Sequence, residues 1–96
     1  MTSVSRLNLK FDISPDVIFQ PVQLGESLLL HTKSLQYFAF DRLGTRVWQA
    51  MQDCNEADRV VDAVAADSGL DGAVLIERIR VLLERLARSG LIRLVE

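Results

Sequence analysis

The spacing of apolar residues along this chain changes character near Asp41, from short alternating runs to a sustained helical repeat, and that change predicts the order of elements. Val17, Ile18, Phe19 and Val22 form a β-branched and aromatic run around Gln20 and Pro21. Such a run predicts a first strand, and Pro21, with no N–H to give a ladder, places it at an edge or a bulge. Leu24-Gly25-Glu26-Ser27 supplies a turn, after which Leu28, Leu30 and Thr32 alternate with Leu29, His31 and Lys33 as a second strand. Leu35–Phe40 follows so closely that a third strand, pairing back on the second, completes a meander. Parity puts Phe38 and Phe40 on one face and Tyr37 and Ala39 on the other, and the bulkier pair is assigned to the core.

From Asp41 onward the repeat is helical. Asp41 suits an N-cap, and Leu43, Val47, Ala50, Met51 and Cys54 recur on one face of a first helix. Asn55 with Asp58 three residues on reads as a capping arrangement for a second helix, whose stripe is Ala57, Val60, Val61 and Val64 and whose end is Gly69. After Asp71-Gly72, a third helix from Ala73 to Ser89 carries a stripe of Leu75, Ile79, Leu82 and Leu86 flanked by Ile76 and Leu83. Val74 and Val81 fall on another side of it, between the positions of Arg85 and Arg88, as a narrow apolar strip suited to a contact. Leu91–Val95 is a short terminal strand or an extended tail. Residues 1 to 14 mix polar residues with scattered Leu and read as a loosely ordered arm, leaving residues 15 to 96 as one domain. Three strands followed by three helices predict an α+β domain built on a three-stranded antiparallel sheet.

Composition then narrows the function. At 96 residues there is room for one core, and 49% hydrophobic with 25% charged residues is the balance of a folded domain rather than a disordered one. Eleven basic against thirteen acidic residues leave a net charge of -2, so no global positive field recruits nucleic acid. Cys54 is the sole cysteine and cannot close an internal disulfide, which points to a reducing, cytoplasmic location. The longest apolar runs, such as Ala73–Ile76, fall far short of the roughly 18 residues of a membrane span. One His and one Cys, with no motif joining them, supply neither a nucleophile with its base nor a metal cluster. No phosphate-cradling glycine loop occurs, and no cofactor is expected. The chain reads as a non-catalytic binding module.

One stretch carries a specific likeness. Tyr37, Phe38, Phe40, Asp41, Gly44, Val47 and Trp48 stand in the register of an aromatic pair, an apolar residue, Asn or Asp, Gly, a β-branched residue and Trp. With this pattern the chain resembles the PqqD-like family, and the likeness extends over residues 17 to 95 through the Asn55–Val64 helix and through Leu82, Leu86, Gly90, Leu91 and Ile92. The family usually has Thr-Gly before the aromatic pair, where this chain has Ser34-Leu35.

The resemblance implies a winged-helix-like fold and a role as a recognition element for ribosomally synthesised, post-translationally modified peptides. It implies a precursor's leader segment added as a strand beside Gln36, Tyr37, Phe38, Ala39 and Phe40, in a cleft against the third helix. Tyr37, Val81 and Leu82 would take apolar side chains there, and Arg78 and Arg85, among Arg80 and Arg88, would meet an acidic one. The implied partners are that leader and a modifying enzyme, either a radical SAM maturase or a leader-cleaving peptidase, with no nucleic acid and no membrane, the protein being a monomer or a homodimer. Two rival readings stay open: a winged-helix DNA-binding regulator whose third helix supplies the basic footprint, and a structural subunit that docks on an enzyme through an apolar patch.

Overall fold

A computed structural model of the chain describes residues 7–95. Its elements are β1 (Lys10–Ile13), β2 (Val17–Pro21), β3 (Ser27–His31), β4 (Tyr37–Phe40), α1 (Arg42–Met51), α2 (Ala57–Ser68), α3 (Gly72–Arg88) and β5 (Ile92–Val95). The expected meander is β2-β3-β4, antiparallel throughout, with β4 at one edge of the sheet. The three helices follow in the expected order, so the α+β architecture of a three-stranded sheet and three helices holds.

Two turns shape the meander. His31 closes the β3–β4 turn: its Nδ1 accepts the N–H groups of Lys33 and Ser34, each at 3.3 Å, while its own N–H donates to the Gln36 carbonyl. Leu35 ends that turn at φ 62°, the left-handed conformation that glycine adopts without cost. Leucine therefore does the work of the family's glycine, and the register of β4 survives, with Phe38 opposite Leu29 and Phe40 opposite Ser27. Leu24 and Gly25 likewise both take positive φ in the β2–β3 turn, as the right-handed twist of a hairpin favours.

Asp41 caps α1 as expected, its carboxylate accepting the Gly44 N–H at 2.8 Å. The face of α1 bearing Val47, Trp48, Ala50 and Met51 is buried against α2, whose Ala57, Val60, Val61 and Val64 are all in the core. A buried hydroxyl pair, Ser27 with Thr45 at 2.7 Å, ties β3 to α1. The first helix stops at Met51, so Cys54 lies beyond it, half-buried, with its thiol 3.5 Å from the Ala50 carbonyl. The capping arrangement expected from Asn55 and Asp58 does not form. Glu56 stands at the N-cap of α2 without a side-chain bond, and the Asp58 carboxylate instead accepts the Leu7 N–H at 2.9 Å and the Asn8 N–H at 3.4 Å.

That contact belongs to the largest departure from expectation. Of the arm read as loose, residues 1–6 lie outside the described residues, but Lys10–Ile13 is a strand paired antiparallel with β5, Lys10 opposite Val95 and Ile13 opposite Ile92. Phe11 on this strand is 1% exposed, inside the core, and its N–H donates to the Asn55 carbonyl. The packed unit thus begins before residue 15. The terminal segment, strand or tail by sequence, is a strand. Along α3 the core side is Leu75, Ile79, Leu83 and Leu86, so Leu83 rather than Leu82 completes the buried stripe. Leu82, one position round the helix, is left half-buried with a function to explain.

Candidate functional site

The open edge of the sheet sets the geometry. Because the His31 N–H bonds the Gln36 carbonyl, residues 31 and 36 are a hydrogen-bonded pair, and antiparallel ladders alternate such pairs with unbonded ones. Phe38 and Phe40 therefore turn their backbone groups toward β3. Tyr37 and Ala39 turn theirs to the outside, where no other strand lies among the described residues. That edge offers two N–H and two C=O groups in a row to an extended chain.

Beside the edge runs a cleft of about 480 Å³ between β4, the first turns of α1 and one side of α3. Phe38, Ala39, Phe40, Leu43, Gly44 and Val47 form its sheet and α1 wall, and Arg78, Val81, Leu82 and Arg85 its α3 wall. The floor is fixed by aromatic packing: Phe40, 4% exposed, sits 6.0 Å from Trp48 and 5.4 Å from Phe38, centroid to centroid. Gly44 permits this, since a Cβ there would stand 2.8 Å from the Phe40 ring. Phe38 rises half-buried from the floor, and the Arg85 guanidinium lies over its ring at 4.9 Å, a cation–π contact that holds both in place.

Charge in the cleft is uneven. Arg80 is taken by two carboxylates, Glu77 at i−3 and Glu84 at i+4, the latter at 2.9 Å. Its hydrogen bond holds the Glu77 carboxyl below the usual carboxylate range, and the same partner raises Arg80. Asp41 is engaged as the α1 cap. Arg78 and Arg85 line the cleft with no carboxylate partner among the described residues, whereas the acids of its lining, Asp41 and Glu77, are both engaged, so two guanidinium groups stand available beside an apolar floor.

Of the residues singled out by sequence, the structure gathers Phe38, Ala39, Phe40, Arg78, Val81, Leu82 and Arg85 around one cleft. Gln36 and Tyr37 do not line it; with Phe38 they border a small depression next to Ser89 and Leu91, and Tyr37 is 73% exposed. Tyr37 remains in the site through its backbone, while Phe38 supplies the aromatic surface of the cleft. Leu43, on the expected core stripe of α1, packs against the core and, in the first turn after the cap, also forms part of the cleft wall. Arg80 and Arg88 are absent from the lining.

A family model described as coenzyme PQQ synthesis protein D (PqqD) matches residues 26–92. The chain belongs to the PqqD family. The matched span runs from the β2–β3 turn to the start of β5 and so contains the β4 edge and the whole α3 wall, whereas β1 and β2 lie outside it. A solved structure titled "TbiB1 in Complex with the TbiA(beta) Leader Peptide" superimposes with a TM-score of 0.76 at 28% identity, over 84% of this chain and 93% of that one. Comparison with curated proteins gave no match. Among the described residues, no group of three or more His, Cys, Asp or Glu is placed to hold a metal ion. No helix among them is long and apolar enough to cross a membrane.

Proposed function

We propose that this PqqD-family protein is a recognition element for a ribosomally made precursor peptide: it binds the leader segment and presents it to a modifying enzyme, with no turnover of its own. The observation that carries the reading is the open backbone edge of Tyr37 and Ala39 beside an apolar, arginine-flanked cleft. The structural relative with the same architecture is described in complex with a leader peptide, which supports the same class of ligand here.

In this mechanism the leader adds to β4 as a fourth strand. Its backbone bonds to Tyr37 and Ala39 and, past the turn, lies along Gln36, which gives affinity largely independent of side chains. Selectivity comes from alternate side chains entering the cleft against Phe38, Phe40, Val81 and Leu82. Arg78 and Arg85, at opposite ends of the cleft, are each placed to take an acidic leader residue in a charge-assisted bond. Ordering an extended peptide costs a few kcal/mol, and burial of apolar side chains at the cleft offsets it. Delivery to the enzyme, a radical SAM maturase or a leader peptidase acting in the cytoplasm, then raises the local concentration of substrate.

The test is a titration of ¹⁵N-labelled protein with a synthetic leader from the nearest short reading frame that encodes a precursor-like peptide. Saturable amide shifts confined to Gln36–Phe40 and Arg78–Arg85 are expected. Spectra unmoved by that leader would sink the reading.

A further inference from the structure

A second groove, of about 450 Å³, opens where the first turns of α1, the end of α2 and the first half of α3 meet. Arg42, Arg46 and Arg78 surround it over an apolar floor of Leu43, Val64 and Leu70. It is continuous with the β4–α3 cleft, because Leu43 and Arg78 line both. Elsewhere the arginines of this acidic chain are mostly tied to carboxylates: Arg59 to Glu56, Arg80 to Glu77 and Glu84, Arg93 to Asp12. In this groove Arg42 and Arg78 depart from that pattern. No carboxylate lines it among the described residues, and Arg42 and Arg78 have no acidic partner there. Arg46 is engaged, its Nη2 donating to the Ala63 carbonyl at 3.3 Å, and the subsite does not depend on it.

The position of the groove along the peptide path is fixed by the sense of the elements. At one end of the cleft Phe38 meets Arg85, late in α3; at the other, Phe40 gives way to the α1 cap near Arg78, early in α3. An extended chain on β4 therefore leaves the cleft at its Phe40 end and runs directly onto the arginine groove. Every strand pair among the described residues is antiparallel. A strand added in the same sense brings its N-terminal side to that end.

Resting on the peptide-binding reading above, we infer that the Arg42–Arg78 groove is an anion subsite for an acidic segment of the same peptide, a few residues N-terminal to the part paired with β4. Asp or Glu side chains accept bidentate bonds from the guanidinium groups, and their methylenes cover Leu43 and Leu70. The groove would thus select leaders by an acid at a defined offset from the apolar anchors, a second specificity element beyond the cleft.

The experiment is fluorescence anisotropy with the full chain and the same synthetic leader, at low and high salt, using Arg42→Gln and Arg42→Glu. Arg42 lies outside the cleft lining, so its loss leaves the strand site intact. Arg42→Gln is expected to weaken binding about tenfold and Arg42→Glu further, with the amide shifts at Gln36–Phe40 retained at saturation. A leader with the preceding acids changed to amides should lose the same factor against the unaltered protein and little more against Arg42→Gln. This peptide-side arm holds even if an Arg42 variant folds poorly. Equal affinity of Arg42→Glu and the unaltered protein, or losses that simply multiply, would overturn the subsite and leave leader binding standing. No binding of that leader by the unaltered protein overturns both.

Discussion

At Gly44 the helix would be better served by alanine, which outdoes glycine in a helix interior by roughly 0.5–1 kcal/mol. The Phe40 ring forbids it: a Cβ would sit at 2.8 Å, and Phe40 cannot withdraw because Trp48 backs it. Gly44→Ala is therefore expected to destabilise the domain by about 1–3 kcal/mol in urea unfolding, and a gain in stability would contradict the close approach. Leu35 is the opposite case. It is 71% exposed and holds φ 62°, so its side chain contributes little burial while its backbone is strained. Leu35→Gly should raise stability by about 1 kcal/mol in the same measurement without moving the amide spectrum of β4. Both positions were visible in the sequence only as a family pattern. Parity correctly paired Phe38 with Phe40, but alternation cannot tell a sealed face from one that a neighbouring helix leaves open. Tyr37 was therefore assigned the cleft role that Phe38 fills.

Among the elements, β4 has two kinds of position, and proline separates them. At Tyr37 proline removes an N–H that points away from the sheet, so the fold should persist in circular dichroism while leader binding is lost. At Phe38 proline deletes a bond to β3 and an aromatic of the cleft, so cooperative unfolding should shift strongly downward. Equal effects at the two sites, seen by thermal melts, would mean that the edge is not where the register puts it. The helices were the most legible part of the sequence, because Val60, Val61 and Val64, or Leu75, Ile79 and Leu86, recur at a spacing only a buried helical face explains. The start of α2 was misread for a physical reason. Asp58 has the right spacing for a cap, but two backbone N–H groups from Leu7 and Asn8, some fifty residues away, compete for it.

For the whole molecule, the decisive feature is a pairing whose partner no local pattern names. The pairing of β1 with β5 joins residues about eighty apart, and although Leu7, Leu9, Phe11 and Ile13 alternate with polar residues as a half-buried strand does, that alternation names no partner for the strand. Phe11→Ala should cost about 3–5 kcal/mol, which denaturant titration can measure, and an unaltered midpoint would show that the core closes without it. Charge bears on the DNA-binding alternative as well: Arg80 is held by Glu77 and Glu84, which withdraws it from the basic footprint that α3 would have to supply. Lys10 and Val95 being cross-strand neighbours means that a loop from β5 back to β1 would need to be no longer than a hairpin turn. A circular permutant joined there by a short Gly/Ser linker and opened at Gly69–Leu70, an exposed connection, should keep its helical spectrum and its leader-induced shifts. By the same geometry a strand enters and a strand leaves the fold side by side, on a part of the surface away from the peptide edge of β4.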